Sequence, residues 1–388
     1  MTAVDAIRAY HDELTAIRRD IHAHPEIGFE EHRTSDLVAA KLAEWGIEVH
    51  RGVGGTGVVG VLRRGNGAAS IGLRADMDAL PIHEVTGKPY ASTNPGRMHA
   101  CGHDGHTTML LGAARFLAEH GKFNGTVNFI FQPAEEGLGG AEAMLKAGLF
   151  ERFPCDTVFG MHNRPGLPVG KFQIRPGAMM AGGAFFDITV NGRGAHGARP
   201  EESTDPVMAA AAITGALQSI VSRNVKPSEA AVLSVTCLQA GNAYNVIPET
   251  AYIRGTARAF KRETMALMEA NMKRLATSVA AGFGAAAEVD FRFLFAPLVN
   301  DEVQTHAYAD AATALVGAQN VGRNGPAVMG SEDFSFMLET RPGAYINIGN
   351  GEDSAPVHND RYDFNDEAIP LGAGLYATLV ERKLPQGH

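Results

Sequence analysis

Apolar runs of strand length recur through the first half of the chain, near Gly57–Leu62, Ser70–Arg74, Thr126–Phe131 and Thr157–Met161, and three of them lead into residues that titrate or coordinate. Asp76 and Asp78 follow one run, Glu135 and Glu136 follow another, and His162 ends a third. Stretches that read as helices, Thr107–His120 and Gly140–Ala147, lie between them. Alternation of this kind predicts an α/β fold, a mostly parallel sheet covered by helices. In such sheets ligands bind beyond the carboxyl ends of the strands, so one mouth would gather all of these side chains.

The chain is too long for a single core. At 388 residues it exceeds the roughly 250–300 at which one core usually stops growing. After the Gly-rich passage Arg175–Gly183, read as flexible, a self-contained series begins. It runs strand (Phe185–Asn191), helix (Asp205–Ser222), strand (Ala231–Gln239), strand (Ala251–Ala259), helix (Glu263–Ala280) and strand (Ala287–Phe293). That βαββαβ order is the ferredoxin-like split sandwich. The expected division is a discontinuous domain of residues 1–183 and 295–388, interrupted by a smaller domain at 184–294.

The run His99-Ala100-Cys101-Gly102-His103-Asp104-Gly105-His106 packs a thiol and three imidazoles into eight positions. On an extended or turning segment side chains two apart share a side, so Cys101 and His103 can reach one ion. Glycines at 102 and 105 would let the backbone close around whatever is bound. A lone Cys beside a His is also compatible with a small buried hydrophobe or a nucleophile paired with a base. Further ligand types downstream, Glu135-Glu136, His162 and His358, favour a metal. His99 and His106 are expected to be hydrogen-bonded structural imidazoles. The histidines at 11, 22, 24, 32, 50, 83, 120, 306 and 388 are read as surface or structural.

Composition removes several functional classes. A formal net charge of −9 repels polyanions, which argues against nucleic acid and anionic membranes as partners. Three cysteines without framework spacing argue against a disulfide scaffold and for a reducing, cytoplasmic setting. Ile7, Tyr10, Leu14, Ile17 and Ile21 recur at helical spacing, so the N-terminal segment reads as an amphipathic helix of the fold. The most apolar stretch, Val207–Val221, is too short and polar to span a bilayer.

Five segments together resemble one family. Asp76-Met77-Asp78-Ala79-Leu80-Pro81, Met98 through His106, Gln132-Pro133-Ala134-Glu135-Glu136-Gly137, Gly160-Met161-His162 and Gly330-Ser331-Glu332-Asp333-Phe334 are similar, in order, to the signatures of the aminoacylase-type amidohydrolases of the dinuclear metallopeptidase superfamily. That branch holds hippurate hydrolases and auxin-conjugate hydrolases. The resemblance implies a metal-bearing α/β domain with an inserted lid or dimerisation domain, and hydrolysis of N-acyl amino acids. It also implies two divalent ions per chain and a homodimer, with a tetramer as the alternative; mixed thiolate, imidazole and carboxylate donors suit zinc, manganese, cobalt or nickel. Carried over by position, the ligands fall on Cys101, His103, Glu136, His162 and His358, and the general base on Glu135. His196 matches a lid histidine that reaches a neighbouring subunit's site and steadies the oxyanion. Asn245 matches a substrate-loop asparagine, and Arg258 a substrate-carboxylate arginine. The wider superfamily has a metal-binding histidine where Asp76 stands here, so His103 would supply that nitrogen, with Asp78 as its orienting partner.

The expected reaction is attack of a metal-held water, assisted by Glu135, on an amide carbonyl. A metallo-carboxypeptidase or dipeptidase shares these parts and differs in its pocket. A binding protein with a retired site, and a Cys101 nucleophile assisted by His103, are the alternatives from other classes.

Overall fold

The computed structural model describes residues 2–386. Met1, Gly387 and His388, the last read above as surface or structural, lie outside the described residues. The chain forms two compact units. One comprises residues up to Met179, Val299–Pro326 and the segment from Asp333 onward; the other comprises Met180–Leu298 and Ala327–Glu332.

The first unit is built on an eight-stranded sheet. Its centre is four parallel strands in the order Gly125–Gln132, Ser70–Asp76, Thr157–Pro165 and Gly343–Gly351. Val58–Arg64 adds antiparallel to the first of these and Glu48–Arg51 antiparallel to Val58–Arg64, while Phe172–Gln173 and Val321–Gly322 extend the other edge. Every residue of Ser70–Asp76 is buried, as expected of a strand with helices on both faces. The helix His103–Glu119 is buried along most of its length and packs against the helix Ile369–Lys383. The amphipathic N-terminal segment is two helices, Ala3–Arg8 and His11–Ala23, broken at Ala9-Tyr10. Its stripe still reaches the core, since Ile7, Leu14, Ile17 and Ile21 are all buried.

The second unit is a four-stranded antiparallel sheet in the order Ala231–Ala240, Thr250–Ala259, Gly182–Asn191 and Ala286–Phe295. The helices Pro206–Ser219 and Arg262–Gly282 pack on this sheet. Along Thr250–Ala259 burial alternates, with Ala251, Ile253, Ala257 and Ala259 in the core, the signature of a sheet with one covered face. The expected fold class, a mostly parallel α/β sheet plus a βαββαβ insert, is the one observed.

One local reading needs correction. The Gly-rich passage is ordered strand, Gly177–Met180 and then Gly182–Asn191. A Cβ on Gly183 would collide with the Arg258 guanidinium and Ser331, so glycine there provides space rather than flexibility. The second unit also takes in Ala327–Glu332. Ala181 N donates to the carbonyls of Val328 and Gly330, a long-range pairing that no local pattern announces. Among the described residues no helix is long and apolar enough to cross a membrane.

Candidate metal centre

The three strands that lead into acidic or imidazole residues are parallel neighbours, with Asp76 opposite Gln132 and Arg74 opposite Gly160. Asp78, Glu135 and Glu136 therefore emerge from one edge of the sheet. His162 does not end its strand, which continues to Pro165 and pairs His162 with Asn347. The Cys101–His106 segment reaches the same edge by turning. Gly102, at φ 90°, caps the helix His103–Glu119, which starts four residues earlier than periodicity suggests because its cap is a glycine and not a Ser, Thr, Asp or Asn. Cys101 and His103 thus converge through a left-handed turn into a helix, not through extended alternation. The space left by Gly102 and Gly105 is filled by the protein itself. A Cβ would collide with Asn163 and Tyr362 at the first and with Phe364 at the second.

The donor atoms of Cys101, His103 and His162 lie within 4.8 Å of one another, as do those of Cys101, Glu136 and His358, and those of His103, Glu135 and Glu136. Cys101 Sγ is 3.3 Å from His162 Nε2, and His358 Nε2 is 3.2 Å from Glu136 Oε1. The first two groups share Cys101, so five residues from four segments form a continuous donor surface. His103 Nε2, Glu136 Oε1 and Asp78 Oδ1 are buried without a hydrogen-bond partner. Buried polar atoms are normally satisfied, and a thiol, imidazoles and a carboxylate are the donors borderline divalent cations take. The residues present fit metal ions.

A shell of hydrogen bonds orients these donors. His103 Nδ1 donates to the backbone carbonyl of Asp78 at 2.8 Å, with the Asp78 carboxylate at 3.3 Å. The Asp78 carboxylate accepts the Glu136 N–H at 2.9 Å. Asp78 thus contacts His103 mainly through its main chain. His106 is fixed from both sides, Nδ1 on Asp76 Oδ1 at 2.6 Å and Nε2 accepting the Asn163 N–H at 3.0 Å. This is the hydrogen-bonded structural imidazole expected. His99 is not, since both ring nitrogens are buried without a partner and burial lowers its pKa to about 4.

The protein's own groups bias the donors in different directions. Burial first, and the Glu136 charge second, push the Cys101 thiol up. Burial and His106 hold His162 well below the ordinary imidazole value. The adjacent Cys101 and Glu136 side chains raise His358 to about 10. A bound cation would override these preferences, because coordinating thiols are deprotonated outright.

Glu135 is buried, and the Asp333 N–H lies 3.4 Å from its Oε1. Ala134, immediately before it, has φ 53°, and His358 has φ 63°. Left-handed backbone at non-glycine residues is uncommon and concentrates where function over-determines the fold. Ala134 is held by its N–H donating to the buried Glu31 carboxylate at 2.8 Å.

The remaining candidates lie in the second unit. His196 and Val246 are paired in a short ribbon, and Gly197 N donates to Asn245 O at 2.7 Å, so His196 and Asn245 are neighbours and both are exposed. His196 Nδ1 accepts from Ala198 N at 3.1 Å, which leaves Nε2 as the ring's donor. Arg258 is half-buried, donates to Ser331, and has its pKa lowered by burial.

Asn163, Tyr362, Arg74 and Asp333 were not singled out in the sequence as site residues. Asp333 lies in the Gly330–Phe334 motif and Asn163 directly follows His162, which is the available signal. Arg74 and Tyr362 carried none.

An α/β sheet with sulfur, nitrogen and oxygen donors gathered at the carboxyl ends of its strands defines a metal-dependent hydrolase architecture. Residues 72–382 match the family model described as peptidase family M20/M25/M40. The chain belongs to that family. It is 44% identical over 384 residues to a hippurate hydrolase of Campylobacter jejuni, covering 99% of this chain and 100% of the relative. It is 39% identical to the IAA-amino acid hydrolase ILR1-like 4 of Arabidopsis thaliana, covering 97% of this chain and 86% of that one. Among solved structures it resembles the Bacillus subtilis YXEP protein, described as a dinuclear metal binding peptidase, with TM-score 0.85, 35% identity and 97% and 99% coverage.

Proposed function

We propose that this protein hydrolyses the amide bond of N-acyl amino acids, hippurate-like or auxin-conjugate-like, to a carboxylic acid and a free amino acid. One observation supports this above the others. The donor atoms of Cys101, His103, Glu136, His162 and His358 lie in overlapping groups, each within 4.8 Å, beside the Glu135 carboxylate.

Cys101, His103, Glu136, His162 and His358 would hold two divalent ions, and their mixed donors suit zinc, manganese, cobalt or nickel. When bound, such ions supply Lewis acidity, which activates water near neutral pH and polarises an amide carbonyl. Glu135 accepts a proton from the attacking water and delivers it to the departing nitrogen. Asp78 orients His103 and Glu136 through the contacts above. His196 donates from Nε2 to the developing oxyanion, Asn245 contacts the substrate, and Arg258 pairs with the carboxylate of the amino-acid part. The insert, spanned from the sequence as residues 184–294, acts as a lid and pairs chains as a homodimer, with His196 serving the partner's site. Three free cysteines suit a cytoplasmic setting.

A metal-supplemented panel of N-acylated amino acids and simple dipeptides, with products identified by mass spectrometry, tests the reading. Benzoylglycine or a related compound should be cleaved and chelation should stop it. Glu135→Gln should keep its metals and lose roughly 10²- to 10⁴-fold in turnover. Cleavage of dipeptides alone, or activity indifferent to chelation, would refute it.

A further inference from the structure

Asp333 lies inside the Gly330–Phe334 motif, to which the mechanism above gives no task. It is fully buried. Its Oδ1 accepts from Gln132 Nε2 at 2.7 Å and from Arg74 Nη2 at 3.1 Å, and its Oδ2 accepts from Ala141 N at 2.9 Å. Gln132 is the last residue of one strand, and Ala141 lies in the first turn of the helix that follows. The link between them, residues 133–140, carries Glu135 and Glu136. One carboxylate therefore ties down both ends of the segment that presents the proposed base, while the same residue's N–H faces Glu135 Oε1 at 3.4 Å.

The supporting contacts leave the clamp little freedom. Arg74 is fully buried and lies between two carboxylates, donating Nη1 to Asp76 Oδ2 at 2.6 Å and Nη2 to Asp333. Its Nε donates to Gln132 Oε1 at 2.9 Å, which sets the Gln132 amide so that its nitrogen faces Asp333. The same Asp76 holds His106, and His106 accepts from Asn163. Within the link, Gly140 N donates to Ala134 O and Gly137 N to Glu135 O. These internal bonds shape the loop, and the Asp333 carboxylate ties its two ends to the N-cap of the helix Phe334–Thr340. Ala134, left-handed within this link, is a conformation that persists only where the surroundings over-determine it.

We propose that Asp333 is a positioning residue for Glu135, holding the 133–140 link so that the base carboxylate keeps one orientation. The inference rests on Glu135 acting as the base. Asp333→Asn tests it with little change of shape. The amide oxygen must stay on Arg74 and Gln132, so the new NH2 faces the Ala141 N–H, donor against donor, and one end of the clamp is released.

Asp333→Asn, Glu135→Gln and the double variant are compared as metal-replete full-length protein on the fastest-cleaved compound of the panel, benzoylglycine first. Asp333→Asn should lower kcat about 10- to 100-fold, the cost of misplacing a reacting group by about 1 Å. KM should stay within about twofold and metal content should be unchanged. Added to Glu135→Gln it should cost less than about twofold more, because the two act through one group. Amide exchange should quicken at 133–140 and not elsewhere. A normal kcat for Asp333→Asn, the same loss in both backgrounds, or a loss explained by missing metal overturns the clamp alone. Wild-type turnover by Glu135→Gln overturns the base assignment and the inference with it. Should Asp333→Asn fail to fold, Ala141→Pro removes the opposing donor at a helix position that tolerates proline. It must then show the same kcat loss and the same non-additivity, and its absence counts against the clamp.

Discussion

Asn163→Ala is the most direct probe of how the donor set is held. Asn163 is 2% exposed. Its Nδ2 donates to the Cys101 carbonyl at 2.6 Å and its Oδ1 accepts from the Tyr362 hydroxyl at 2.7 Å. Truncation leaves that carbonyl and that hydroxyl buried and unpaired. Each orphan costs about 1–3 kcal/mol, so the variant should lose about 2–6 kcal/mol of stability. The Asn163 N–H to His106 belongs to the backbone and survives. The effect on metal should therefore come through Cys101, whose main chain is released. Loss of an outer-shell partner of this kind typically weakens metal affinity about 10- to 100-fold. Competition against a chelator of known affinity, read by elemental analysis beside urea unfolding with and without metal, measures both quantities. A folded variant whose metal affinity is unchanged within about twofold would refute the argument that Asn163 holds Cys101 in place.

Two further outcomes follow from the geometry. Gly102→Ala combines a positive φ of 90° with collision against Asn163 and Tyr362, so it should destabilise by about 2 kcal/mol or more and lower metal occupancy; a midpoint in urea equal to wild type would contradict this. Burial disfavours a charge on His22, but hydrogen bonds to Asp104 and Glu84 outweigh it and raise the pKa to about 9. The folded value exceeds the unfolded one, so this contribution, about 3 kcal/mol, is complete below about pH 6.5 and disappears as pH rises through 9. Unfolding free energy measured from pH 6.5 to 9.5 should fall in wild type and stay flatter in His22→Gln.

Much of the architecture was legible because its signals are local. Ser70–Asp76 and Gly125–Gln132 announce themselves through the apolar stretches at their centres, and Thr250–Ala259 as an alternation of apolar inward and polar outward residues. The helix at His103 began earlier than expected because its glycine cap gives no start signal. The N-terminal helix broke at Ala9-Tyr10 while its apolar stripe continued unchanged.

What one strand of letters determined was the inventory: which residue types could bind or titrate, and that the acidic pairs follow buried strands. Tertiary structure alone decided their company. It left His99 without a partner and gave His106 two. It filled the room beside Gly102 and Gly105 with Asn163, Tyr362 and Phe364, and put Asp333 across the loop that carries Glu135. The physical reason is range. Periodicity and capping act over a few residues, whereas each of these contacts joins segments far apart in the chain and exists only after the sheet has set its strand order.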